Sequence, residues 1–124
     1  MEDNERVIED HILDVTLGRD IQVTAINKPG HGGANHVYNI KYNDDVPATI
    51  IPFQDGPVGE VGTNGVTETA LLAIVIDRLR SFQNGEYRSR ENACAITHIE
   101  EALMWLHRRT TLRQRRGVEG TSQT

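Results

Sequence analysis

From Ile21 onward, apolar and polar positions alternate in short blocks. Ile21-Gln22-Val23-Thr24-Ala25-Ile26, His36-Val37-Tyr38-Asn39-Ile40-Lys41-Tyr42 and Pro47-Ala48-Thr49-Ile50-Ile51-Pro52-Phe53 are rich in β-branched and aromatic residues, mostly at the two-residue period of a half-buried strand. They predict three strands. The turn-forming stretches Lys28-Pro29-Gly30-His31-Gly32-Gly33-Ala34-Asn35 and Asn43-Asp44-Asp45 separate them, so neighbours can pair antiparallel in a small meander. Beyond a glycine-rich stretch the period lengthens. Leu71, Leu72, Val75, Ile76, Leu79 and Phe82 fall at helical spacing, with Asn64 and Thr67 as candidate N-caps and Gly85 as a left-handed terminator. Ser89 is placed to cap a second helix from about Arg90 to Arg115, roughly 39 Å long at 1.5 Å per residue. Its Ile96, Ile99, Leu103 and Leu106 alternate steps of three and four, the seam of two helices packed side by side. Ahead of the strands, Val7-Ile8, Ile12-Leu13 and Val15 predict a short amphipathic helix.

The expected fold class is α+β: a small antiparallel β-sheet followed by a long antiparallel helical hairpin. Within one expected domain the segments are an acidic N-terminal arm or short helix (1–20), the sheet (21–56), a Gly-rich loop (57–66), the hairpin (67–116) and a polar tail (117–124) closed off by Gly117 and Gly120. A length of 124 residues suits one core. No apolar run reaches the roughly 18 residues of a membrane span, and an acidic N-terminus is unlike a secretion signal. The expected location is therefore the cytosol. Cys94 is the only cysteine, and its place between Ala93 and Ala95 suggests a small buried residue.

Charge changes the picture most. The chain has a formal net charge of -5, and its first twenty residues hold seven acids. Yet Arg108, Arg109, Arg113, Arg115 and Arg116 lie within nine residues that contain no acid. A guanidinium presents a planar fork that grips phosphate, while long DNA or RNA would be repelled by most of this surface. A small phosphorylated ligand is the expected partner. Trp105, Arg109, Arg113 and Arg116, spaced four, four and three apart, are expected to share one stripe. The bland alternative, cations complementing the C-terminal end of the helix dipole, accounts for one or two arginines but poorly for five that repel one another.

At the other end of the hairpin, Phe82 and Asn92 sit on either side of the turn. They could stack on a base and hydrogen-bond to its edge or to a ribose. Equally, Phe82 could be a plug at the hairpin end and Asn92 a solvated polar residue. Asn92 and Arg109 are seventeen residues apart on one helix, roughly 25 Å. One small ligand cannot reach both in a single chain. An antiparallel dimer would bring one chain's tip to its partner's arginines and, by twofold symmetry, create two sites.

Catalytic patterns are weak. His98 and His107 are nine residues apart on their helix, on opposite faces, and His31 and His36 have no clustered second ligand pair, so neither a metal nor a cofactor is expected. Gly30-His31-Gly32-Gly33 leads into a strand and Gly56 to Gly65 lacks a G-K-[ST] ending, so neither loop is a nucleotide-binding fingerprint.

Several motifs together resemble one family. Phe53-Gln54-Asp55-Gly56-Pro57, Glu60-Val61-Gly62, Asn64-Gly65-Val66-Thr67, Arg90-Glu91-Asn92-Ala93, Glu100-Glu101-Ala102-Leu103-Met104-Trp105-Leu106 with Arg108-Arg109-Thr110, and Arg116-Gly117-Val118-Glu119-Gly120-Thr121 are similar to the phage Thoeris anti-defence sponges over roughly residues 50 to 121. The hairpin is also similar to that of the anti-CBASS sponges. The resemblance implies a non-catalytic homodimer or higher homo-oligomer in the host bacterial cytoplasm. It would capture cyclic ADP-ribose isomers made by TIR-domain enzymes and leave them chemically intact. By position, the ligand contacts it implies fall on Phe82, Asn92, Arg109 and Arg113. Additional cyclic oligonucleotide sites are implied without placement. The alternatives are a sponge mainly for cyclic di- or trinucleotides and an enzyme that cleaves such signals.

Overall fold

A computed structural model describes residues 5–14 and 18–122, which form two compact units: the described residues up to 56 with 61–66, and residues 57–60 with 67–122. The rest of the N-terminal arm, 1–4 and 15–17, lies outside the described residues.

The first unit is a four-stranded antiparallel meander in the order β1 (Arg6–Ile8), β2 (Gln22–Ala25), β3 (Val37–Lys41) and β4 (Thr49–Pro52). The register aligns Ala25 with Tyr38 and Tyr38 with Ile51, and in the adjacent row Ile8 with Val23 and Val23 with Ile40. Residues opposite each other share a face, so these apolar side chains gather on one side, with Ala25 fully buried. Phe53 adds an edge-to-face contact with Tyr38 at 5.4 Å. The other side carries Val7, Thr24, Asn39 and Ile50, of which Val7 and Ile50 are exposed. Three strands are therefore as the alternation predicts, and a fourth replaces the helix expected at residues 7–15. Its cause is the β-branched pair Val7-Ile8, which favours extended backbone and finds a ladder on β2, a long-range partner that helical spacing does not reveal. The strand is short, and Glu9 and Asp10 follow it directly, which guards an open sheet edge against pairing with other chains.

Connections between strands are held by side chains. Asn27 Oδ1 accepts from the backbone N–H groups of His36 and Val37, pinning the start of β3. In the intervening 3-10 turn, Gly32 and Gly33 adopt φ values of 73° and 82°, a left-handed region that glycine enters without strain. After β4, Gln54 donates to the carbonyls of Gly56 and Gly62 while accepting from Asn64 N–H, and the Asn64 amide exchanges two bonds with the Asp55 backbone. Asn64 thus closes this loop instead of capping a helix. Val66 then bridges to Phe53 and completes the edge beyond β4.

A short helix, α1 (Val58–Val61), lies in the Gly-rich loop, and the second unit is dominated by the hairpin of α2 (Glu68–Gln83) and α3 (Arg90–Arg115). Thr67 and Ser89 cap the two long helices by accepting from the N–H groups of Ala70 and Asn92, as their sequence positions suggest. Ile76 is buried in the seam, flanked by half-buried Leu72 and Leu79 on α2, while Ile96, Ile99, Leu103 and Leu106 are half-buried on α3. Arg80 and Glu100 pair across the helices at 3.0 Å. The turn is closed by Gln83, whose amide donates to Ser89 O and accepts from Ser89 N–H. That clasp makes a left-handed residue unnecessary. Asn84 ends α2 in right-handed geometry, and the expected left-handed Gly85 is absent. Gly117 does turn left-handed, at φ 73°, and ends α3. Cys94 is exposed on the outer side of α3, contrary to the buried position expected from its small neighbours. No helix among the described residues is long and apolar enough to cross a membrane.

Candidate functional site

The hairpin places the four candidate residues at its two ends. At the tip, Phe82 in the last turn of α2 and Asn92 in the first turn of α3 meet through Tyr87. The Phe82 and Tyr87 rings are edge-to-face at 6.4 Å, and Asn92 Nδ2 donates to the Tyr87 carbonyl at 3.1 Å. Arg78, one turn before Phe82, holds its guanidinium 5.1 Å from the centre of the Phe82 ring, within cation–π range. Tyr87 is 73% exposed. The tip is therefore a small aromatic and amide surface with a cation attached.

Sequence reasoning paired Phe82 with Asn92 but missed Tyr87 and Arg78. The signals were present: Arg78 is the i-4 neighbour of Phe82 on one helical face, and Tyr87 is the aromatic residue of the turn.

The opposite end divides the arginines into two kinds. Arg108, Arg109, Arg115 and Arg116 are exposed and have no side-chain partner among the described residues. Arg113 differs, for its side chain is only 20% exposed. Its guanidinium donates to the carbonyls of Val118 and Thr121 at 3.0 and 2.9 Å and lies 3.4 Å from Glu119 Oε1. The expected stripe of Trp105, Arg109, Arg113 and Arg116 is accordingly split, because the chain beyond α3 folds back over Arg113 and draws it inward. Residues 117–122 form a strap rather than a loose tail. Gly59 N–H donates to Gly120 O at 2.8 Å, and Ser122 Oγ donates to Glu60 Oε2 at 3.2 Å. A Cβ on Gly59 would sit 2.5 Å from Gly120 O, so glycine permits this approach.

Beside the arginines, Trp105 is 62% exposed, and Met104 and Leu112 are exposed as well. On α2, Ile74 is 66% exposed. A hairpin that buries Ile76 alone while leaving these side chains in water has apolar surface to give to a partner. Chemically, one end offers stacking and an amide, the other offers exposed cations. Among the described residues, no three His, Cys, Asp or Glu side chains come together as a metal-holding group.

Residues 48–111 match the Acb2/Tad1 hairpin domain. A protein of Bacillus phage SBSphiJ7 described as "Thoeris anti-defense 1" is 52% identical over 94 residues, which is 76% of this chain and 66% of that protein. The matched stretch thus spans a little under two thirds of the relative's length.

Proposed function

The chain belongs to the Acb2/Tad1 hairpin family of Thoeris anti-defence sponges, and on that premise we propose that it is a phage anti-defence protein that captures cyclic ADP-ribose isomers and withholds them from a downstream effector in the host bacterial cytoplasm. The observation that carries the reading is the group of exposed guanidiniums at the end of α3 that have no side-chain partner among the described residues, on a chain of net charge -5. Like charges on one helix end repel, which a bound anion relieves, and a pyrophosphate matches the guanidinium fork. Phe82 stacks on adenine with the face that Arg78 leaves open. Asn92, whose Nδ2 is already bonded to Tyr87, offers its Oδ1 to a base or ribose. Arg109, with Arg113, holds the pyrophosphate.

Both ends serve one ligand only in an assembly, since about 25 Å of helix separates Asn92 from Arg109. The exposed Ile74, Met104, Trp105 and Leu112 supply the apolar surface for a homodimer or a higher assembly. A test follows directly. Asn92→Ala and Arg109→Ala subunits, each defective alone, should regain half of the sites when mixed as heterodimers. No recovery after demonstrated subunit exchange would place each site within a single chain.

Capture without cleavage has its own signature. Incubated with a cyclic ADP-ribose isomer, the protein should remove a fixed number of molecules per chain and then stop. Heating should return the ligand intact and still able to activate its effector. Accumulation of ADP-ribose beyond the amount of protein, seen by chromatography, would instead make the protein an enzyme.

A further inference from the structure

The strap beyond α3 places an acid on one of the two arginines assigned to the pyrophosphate. Arg113 Nε lies 3.4 Å from Glu119 Oε1, while the same guanidinium donates to the carbonyls of Val118 and Thr121. These oxygens occupy the donor fork that a phosphate would use. Of the three, only the Glu119 carboxylate carries a charge. The oxygen that faces Arg113 is also held by the backbone, since Glu119 Oε1 accepts from Gly120 N–H at 3.1 Å. The strap around it is fixed by the left-handed Gly117 and Gly120, by the Gly59-to-Gly120 bond and by the Thr121 hydroxyl, which donates to Val118 O.

We propose that Glu119 is an internal competitor for the phosphate at Arg113: it holds the guanidinium until a phosphate displaces it, and so sets the affinity of the site. This rests on reading Arg113 as a phosphate contact. A protein whose binding-competent state is only a fraction of the whole binds more weakly by that fraction. A partly exposed ion pair, together with repulsion between the displaced carboxylate and the incoming phosphate, is worth roughly threefold to tenfold in dissociation constant. Glu119 would then set affinity without touching the ligand.

The Glu119→Gln variant isolates the charge, because glutamine keeps the oxygen that accepts from Gly120 N–H and so preserves the strap. Two measurements on the full chain decide the matter. First, the Arg113 Nε–H signal, followed by 15N NMR, should be protected from solvent exchange in the native protein and less protected in Glu119→Gln, where the same oxygen still accepts but without its charge; inorganic pyrophosphate should move the native signal. Second, calorimetry with a cyclic ADP-ribose isomer should show Glu119→Gln binding roughly threefold to tenfold more tightly than the native chain. Equal or weaker binding by a folded Glu119→Gln variant would overturn the proposal. So would an Arg113 signal that exchanges equally fast in both proteins. If no cyclic ADP-ribose isomer binds the native chain while Arg113 responds to Glu119→Gln and to pyrophosphate as stated, the capture function fails and the competition at Arg113 stands.

Discussion

Replacing Arg109 by alanine is expected to weaken capture of a cyclic ADP-ribose isomer by roughly tenfold to a hundredfold, the effect of ~1.5 to 3 kcal/mol for a lost charge-assisted contact. Thermal stability should hardly change, because Arg109 is exposed and has no side-chain partner among the described residues. Arg113→Ala should behave differently. It removes bonds to Val118 O and Thr121 O as well as the Glu119 ion pair, so it releases the strap and lowers stability in addition to binding. The double variant should bind below detection by calorimetry at micromolar protein. A double variant that retains its secondary structure and titrates like the native chain would remove the arginines from the site altogether. The contrast between the single variants is as informative as the loss. Equal melting temperatures for Arg109→Ala and Arg113→Ala would mean that the strap contributes nothing to the fold.

The difference between these two arginines marks the limit of what the sequence shows. The ends of α3 are legible because their causes are local: Ser89 caps the first turn and Gly117 turns the chain out of the last. The helix accordingly spans Arg90–Arg115 in both the reading and the structure. Strands β2, β3 and β4 are legible for a similar reason, since alternation and turn residues are short-range signals. β1 is not, because Val7 and Ile8 take their conformation from Thr24 and Val23, some fifteen residues away. Arg113 fails in the same way. Its spacing from Arg109 is that of a shared stripe, and only the return of Val118, Glu119 and Thr121 over the helix end turns it inward. Cys94 and Asn64 follow suit, for exposure and cap choice depend on which neighbours arrive. The tip was partly readable. Phe82 and Asn92 flank one turn, but the link between them is the carbonyl of Tyr87, a backbone atom that carries no sequence signal.

The largest effect on stability is expected far from the arginines, at Gly65. A Cβ built there would lie 2.4 Å from the Phe53 carbonyl carbon, 2.5 Å from its oxygen and 2.7 Å from Gln54 N. All three are backbone atoms, so no side chain can swing aside to make room. What holds them is the extension of the sheet edge: Gln54 N–H donates to Val66 O at 2.9 Å, Val66 N–H to Pro52 O at 2.8 Å, and Phe53 N–H to His36 O at 2.7 Å. Gly65→Ala must pull Val66 away from this edge and stretch at least two of those bonds. Overpacking against a fixed backbone costs about 2 to 3 kcal/mol, which for a unit of this size lowers the melting temperature by roughly 10 to 20 °C. Gly85→Ala is the matched control. Its nearest atoms are 3.6 Å away and its φ is not left-handed, so alanine fits there and should be neutral or stabilising by about 0.4 to 1 kcal/mol through the unfolded state. Differential scanning calorimetry of the two variants separates a general cost of replacing glycine from the specific clash. Equal melting temperatures would mean that the edge at Val66 yields without penalty, and the tight approach of Gly65 to Phe53 would then contribute nothing to holding the loop.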